Sequence, residues 1–274
     1  MQIKNNLLFN DDGSQVNFVA TPNKRGAFTP QYLVIHFTAV TTFESTLNHF
    51  QNPNAAASAH LLIGRDGRIT QFAPFNIVTF HAGRSQWKGL VGLNEFSIGI
   101  ELVNGGELIK IGENWQCQVD KKRVPDDEVI IAKHRNATKE TAWHEYTAEQ
   151  LEALIQVSML LVKTYNLKDV VGHDDISPFR KSDPGPAFPM GSVRSRAMGR
   201  QDETLDDFVT SDELNIRSGP GTTFNTLIEK PLPKGTKVVV LKTEGNWSFV
   251  DVQETVHGVM DLEGWVSTKF LVNQ

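Results

Sequence analysis

Between Val170 and Pro189 the chain carries four prolines, Pro178, Pro184, Pro186 and Pro189, with Gly185 among them. Proline fixes its own φ and restricts the residue before it, so this stretch is predicted to be a stiff loop, neither helix nor strand. A short apolar run, Asp169 to Val171, leads into it through Gly172 and ends on His173. Asp183 follows ten residues later, with Lys181 two before it. An imidazole at a strand end and a carboxylate in a rigid loop are a suitable pair of ligands for a borderline divalent metal.

A third ligand has to come from elsewhere, and His36 is the best candidate, closing the β-prone run Tyr32-Leu-Val-Ile-His36. Either histidine alone would be read as an ordinary strand-end residue. Together, two imidazoles and one carboxylate leave a coordination position open, the pattern of a catalytic zinc site; structural zinc sites are closed by four protein ligands and rich in cysteine.

Five motifs stand in order: V-I-H-F-T-A ending the first run, S-A-H-L-L-I at 58–63, F-H-A-G-R-S at 80–85, L-N-E-F-S-I-G-I-E-L at 93–102 and G-H-D-D-I-S-P-F-R-K-S-D-P-G-P at 172–186. Together they resemble the type 2 N-acetylmuramoyl-L-alanine amidases, zinc amidases that share a fold with peptidoglycan recognition proteins. The resemblance spans roughly residues 30–190. It implies a Zn2+ cofactor on His36, His173 and Asp183, and hydrolysis of the amide between N-acetylmuramic acid and L-alanine in peptidoglycan or muropeptides. It also implies Glu101 as the base that activates water, Lys181 as the cation that meets the oxyanion, and His81 and Asn94 as substrate-binding residues. Two other functions stay open: a peptidoglycan-binding protein without turnover, and a zinc peptidase cutting within the stem peptide.

His60, between Ala59 and Leu61, is expected to be a satisfied core histidine, and His134, His144 and His257 to lie at the surface. Cys117, the one cysteine, needs no metal role and rules out an intrachain disulfide, which suits a disulfide-independent protein. The net charge of −5 argues against a nucleic-acid partner, which calls for a basic face. No apolar run approaches the ~18 residues of a membrane span. The first residues lack the apolar core of a secretory signal, so the expectation is a protein cytoplasmic as synthesised, with any delivery to the cell wall by another route.

Strands mixed with helices give an α/β class, a central mixed sheet flanked by helices. Thr42–Phe50 has apolar residues at i, i+4 and i+7 and is expected to be a short helix stopped at Asn52-Pro53. Asp66-Gly67 between two apolar runs marks a hairpin. Ser97–Val103 alternates as a strand, with Glu101 on the face opposite Ile98, Ile100 and Leu102. Thr147 opens the clearest helix, with Gln150 expected to reach back and complete a capping box. Asn104–Tyr146 has no clear pattern and is taken as an insertion beside the active face.

Composition shifts near Pro189, so the expected division is an amidase domain with an N-terminal arm over 1–190, a linker over 191–207 and a small all-β domain over 208–274. In that tail, Leu214-Asn-Ile-Arg-Ser-Gly-Pro-Gly221, Pro233-Lys-Gly235 and Gly264-Trp-Val resemble a bacterial SH3-like domain. The resemblance implies either recognition of cell-wall peptide or a packing role.

Overall fold

The computed structural model describes residues 1–199, 207–254, 256–259 and 262–273. In chain order the elements that position the site begin with β1 (Asn17–Phe18), β2 (Tyr32–Phe37), α1 (Phe43–Gln51), β3 (Leu61–Ile63), β4 (Ile69–Gln71) and β5 (Ser97–Leu102). An excursion follows: β6 (Glu107–Ile111), β7 (Asn114–Cys117), β8 (Arg123–Val124), β9 (Val129–Lys133) and β10 (Glu140–His144). Next come α2 (Ala148–Tyr165), β11 (Asp169–Gly172), α3 (His173–Ile176) and α4 (Met190–Ala197). After α4 come the strands β12 (Asp207–Thr210), β13 (Lys237–Glu244), β14 (Trp247–Val252), β15 (Leu262–Ser267) and β16 (Leu271–Asn273).

Among the described residues a six-stranded mixed sheet runs in the order β11-β2-β5-β3-β4-β1. The pairs β11/β2, β2/β5 and β5/β3 are parallel and the hairpin β3/β4 is antiparallel. Parallel strands are buried on both faces, which explains their nearly unbroken apolar runs. Leu33, Ile35, Ile98, Ile100 and Leu102 face α2 and α4, packing on Leu154, Leu161 and Val193. The alternate residues, Tyr32, Val34 and Val171, pack on the other side with Ala82, Leu93 and Ile176. By the two-residue period of strands, His36 and Glu101 fall on that second side.

The Thr147 Oγ1 cap forms, accepting from Gln150 N at 3.2 Å. The return half of the expected capping box does not. Gln150 is fully buried, and its side-chain nitrogen donates to the carbonyls of Ile63 and Val103, tying α2 to the sheet. Asn166 ends α2 in the left-handed conformation at φ 52°.

Three regions differ from expectation. The Asn104–Tyr146 excursion is a second, five-stranded antiparallel sheet in the order β8-β7-β6-β10-β9. His173–Ile176, expected in a loop, makes a single helical turn. Met190–Ala197, expected in a linker, is a helix whose Met190, Val193 and Ala197 enter the main core. Its apolar positions are too few to stand out in a polar sequence. The rest of the expected linker up to Asp206 lies outside the described residues, apart from Met198 and Gly199. Strands β12 to β16 form an antiparallel sheet in the order β15-β14-β13-β12-β16, with its own apolar cluster including Ile216, Val238, Val250 and Val266. Among the described residues no helix is long and apolar enough to cross a membrane.

Candidate active site

Register brings the site together. In the parallel pair β2/β5 Glu101 lies directly beside His36, and in β11/β2 Gly172 lies beside Ile35, so His173 emerges next to His36. All three side chains therefore gather at the carboxyl ends of adjacent parallel strands, where open α/β sheets place their ligands. The loop after α3 then returns Asp183 to the same point. Its shape is held by Asp174 N donating to Asp183 O at 2.8 Å and by Tyr146 Oη donating to Pro184 O at 2.8 Å.

His36 Nδ1, His173 Nδ1 and Asp183 Oδ2 form a tight triangle. The two nitrogens are 2.9 Å apart, and the carboxylate oxygen is 2.9 Å from His36 and 2.8 Å from His173. All three residues are buried. His173 Nε2 lies 3.0 Å from Ala82 O, and a carbonyl can only accept, so the proton of a neutral ring sits on Nε2 and Nδ1 presents its lone pair. Burial, then the neighbouring His173, pushes His36 down to about 4, so its ring is neutral near pH 7. Three electron-rich atoms this close require a positive charge among them. Two nitrogens and one carboxylate oxygen are a donor set that zinc accepts.

Glu101 opens onto the same cavity, of about 450 Å³, which is also bordered by Lys181 and by the apolar side chains of Phe37, Val40, Phe80 and Val119. Glu101 Oε2 is shielded from solvent and has no hydrogen-bond partner. Burial, and next the Asp183 charge, raises its carboxyl well above the usual 4.5, with Lys181 pulling the other way. An unpaired buried carboxylate is costly, and one facing a cavity is a marker of function.

His81 and Asn94, expected to bind substrate, have partners within the protein. His81 Nδ1 is 3.0 Å from His36 Nε2, and His81 Nε2 is 3.2 Å from Ser97 O. Both ring nitrogens are thus used inside the protein. Asn94 Oδ1 accepts from the backbone N–H groups of His81 and Ala82 at 3.0 and 2.7 Å. The sequence gives no sign of these contacts, because the His36 ring, the Ser97 carbonyl and the two backbone N–H groups are brought near only by folding.

His60 is a satisfied core residue, as expected: Nε2 meets Ile77 O at 2.9 Å, and Nδ1 accepts from Gly99 N at 3.1 Å. His257 is exposed, also as expected. His134 and His144, expected at the surface, are buried. His134 Nε2 lies 3.0 Å from Asp174 Oδ2, beside the first turn of α3, and stacks on Trp143. His144 Nδ1 accepts from Gly105 N at 3.0 Å. Cys117 is buried with Sγ donating to Ala39 O at 3.2 Å, and it lies outside the triangle. Trp143 and Arg180 support the loop without having been singled out from sequence. A Cβ at Gly185, where φ is +77°, would lie 2.8 Å from the Trp143 ring, and Arg180 Nη2 donates to Arg84 O at 2.7 Å.

Fold and site together define an α/β protein with a candidate single-metal centre at the carboxyl ends of its parallel strands. The family model for N-acetylmuramoyl-L-alanine amidase, Amidase_2, matches residues 26–186, and the chain belongs to that family. N-acetylmuramoyl-L-alanine amidase AmiD of Escherichia coli K12 is 32% identical over 176 residues, covering 61% of this chain and 53% of that protein. The 1,6-anhydro-N-acetylmuramyl-L-alanine amidase AmpD of the same organism is 35% identical over 139 residues, covering 50% of this chain and 56% of that protein. The chain thus spans a little over half the length of these relatives. A solved structure of a selenomethionine AmpD derivative superposes with a TM-score of 0.50 at 25% identity, covering 72% of this chain and 99% of that one.

Proposed function

We propose that this chain is a zinc-dependent amidase that hydrolyses the bond between N-acetylmuramic acid and L-alanine in peptidoglycan or muropeptides. The observation that carries the proposal is Glu101, whose Oε2 is shielded from solvent without a partner, lining the same cavity as the His36–His173–Asp183 triangle. Family membership and relatives named as amidases support the choice of bond.

In this reading His36, His173 and Asp183 hold zinc, which supplies Lewis acidity at neutral pH. Glu101 takes a proton from the attacking water and hands it to the departing amine of L-alanine. Its raised carboxyl suits both halves of that exchange, since a base that must also act as an acid works best with a pKa nearer the operating pH. Lys181 meets the negative charge that develops on the carbonyl oxygen, a contribution on the order of 3 kcal/mol in comparable sites. The apolar wall of Phe37, Val40, Phe80 and Val119 excludes water from the scissile amide.

The name of the AmpD relative favours soluble anhydro-muropeptides as substrates. We place the end of the catalytic unit after α4, near residue 197 instead of 190, because that helix is part of its core. Residues 208–274 are then a bacterial SH3-like domain; the antiparallel sheet with its separate apolar cluster supports this reading.

The test is digestion of purified sacculi and of soluble anhydro-muropeptides side by side, with and without chelator, followed by mass spectrometry. Release of an intact stem peptide beginning with L-alanine, abolished by chelator and restored by zinc, is expected. Cleavage inside the stem, or binding without release, would replace the proposal with a peptidase or a binding protein.

A further inference from the structure

The segment His81–Ala82 touches both histidines of the triangle from behind. His81 Nδ1 contacts His36 Nε2 through its side chain, and Ala82 O contacts His173 Nε2 through the backbone. Asn94 Oδ1 clamps the segment by accepting both of its N–H groups.

The donors and acceptors along the series Leu93, Ser97, His81 and His36 follow one from another. Ser97 Oγ donates to Leu93 O at 2.6 Å, so its proton is spent and it can only accept from His81. Ser97 O can only accept as well. Both neighbours of His81 Nε2, at 3.2 and 3.4 Å, therefore require a proton on that nitrogen. A neutral His81 then has a bare Nδ1, which accepts from His36 Nε2–H at 3.0 Å. This leaves His36 Nδ1 bare and facing His173 and Asp183. On the other ring, Arg180 Nη2 comes within 3.4 Å of His173 Nε2 but donates to Ala82 O at 3.1 Å, the same carbonyl that takes the His173 proton.

The backbone has been kept open for this arrangement. A Cβ at Gly99 would lie 2.4 Å from His81 Cγ and 2.6 Å from its Nδ1, so only glycine lets the imidazole stand against β5.

We infer that His81 is a positioning residue: as the acceptor for His36 Nε2–H it fixes the tautomer and orientation of His36, while the Asn94-clamped Ala82 carbonyl does the same for His173. The inference rests on the proposed metal site, and the metal it presents the rings to is the one assigned there. Partners of this kind typically change metal affinity 10–100-fold when removed.

The experiment compares zinc affinity, by competition with a chromophoric chelator, for the full chain and for His81→Phe and His81→Gln. Phenylalanine fills the space without accepting; glutamine can accept from His36 through its amide oxygen and donate to Ser97 O through its nitrogen. Weakening of about 10–100-fold in His81→Phe and substantial recovery in His81→Gln are expected. Circular dichroism of the metal-free proteins shows which variants are folded. Two-bond 1H–15N correlation spectra of the unaltered protein supply a readout independent of any variant: His36, His81 and His173 should all carry the proton on Nε2. A folded His81→Phe that binds zinc as tightly as the parent, or a His36 ring protonated on Nδ1 with zinc bound, would overturn the inference. Failure of the parent to bind zinc at all would instead overturn the proposed function.

Discussion

Replacing Glu101 with glutamine keeps the side-chain volume and removes its basicity. Turnover is expected to fall about 10²–10⁴-fold, the usual worth of a positioned acid–base group, while zinc content measured by elemental analysis stays at the parental level. A Glu101→Gln protein with near-parental turnover would remove the base from the mechanism. The proposed base, Glu101, acts in its ionised form, and burial raises its carboxyl well above 4.5. Activity should therefore rise with pH through an acid limb displaced upward from the ordinary carboxylate range, visible in kcat/KM. Lys181→Met should lower kcat by roughly 10²-fold with a smaller effect on KM, because the ammonium is asked to act on charge present only in the transition state. At this scale the sequence brought His36, Glu101, His173, Lys181 and Asp183 forward as one set, and the fold gathers all five at one cavity. It said nothing of what stands behind them. Besides His36, His81 meets the Ser97 carbonyl, and Asn94 meets two backbone N–H groups; backbone groups have no letter of their own.

A buried glutamine does the comparable work between elements. Gln150 lies in the first turn of α2 yet spends its amide nitrogen on Ile63, which ends β3, and Val103, just past β5. Gln150→Ala should lower unfolding free energy by about 1–3 kcal/mol in chemical denaturation, since the Val103 carbonyl would lose a buried donor. A change below ~0.5 kcal/mol would mean that water or another donor replaces it. The position shows why local rules found the helix start but misread its third residue: the capping box is a contact within one turn, whereas here a neighbouring sheet offered carbonyls that outcompeted it. The excursion over 104–146 was opaque for a related reason. Its strands are short, and part of what they bury is met outside their own sheet, as where His134 and Trp143 lie against Asp174 and Gly185 of the site loop. Strongly periodic elements such as α2 and β5 carry their pattern in one stretch of chain and were legible.

At the scale of the whole molecule, α4 approaches β14. Asp251 is buried there beside Gly191, whose absent Cβ would lie 2.8 Å from the carboxylate. Burial, then the Glu263 charge, raises the Asp251 carboxyl to about 6 from 3.8, against a hydrogen bond from Gln253. The folded protein therefore holds this proton over a range where the unfolded chain has lost it, and stability falls as pH rises from about 4 to about 6. Asp251→Asn should be more stable than the parent at pH 7, by on the order of 1–3 kcal/mol, and nearly equal to it at pH 4. Equal denaturation midpoints at both pH values would contradict this. Zinc should act on the whole molecule too: bound to the folded state alone, it adds about 2.7 kcal/mol at a free concentration one hundred times its Kd, so chelation should lower Tm.

His36 and His173 are 137 positions apart, and they become neighbours only after β11 has paired with β2. No fragment ending before Asp169 contains both rings, and no local hairpin can bring them within reach of one ion. In the proposed reading, holding an ion between both rings thus has to follow the meeting of these distant segments, which carries an entropic cost. A dye that reports free metal, mixed with refolding chain, would act as a stopwatch for closure of the parallel sheet, steady until β11 pairs with β2 and changing as the ion is withdrawn from it.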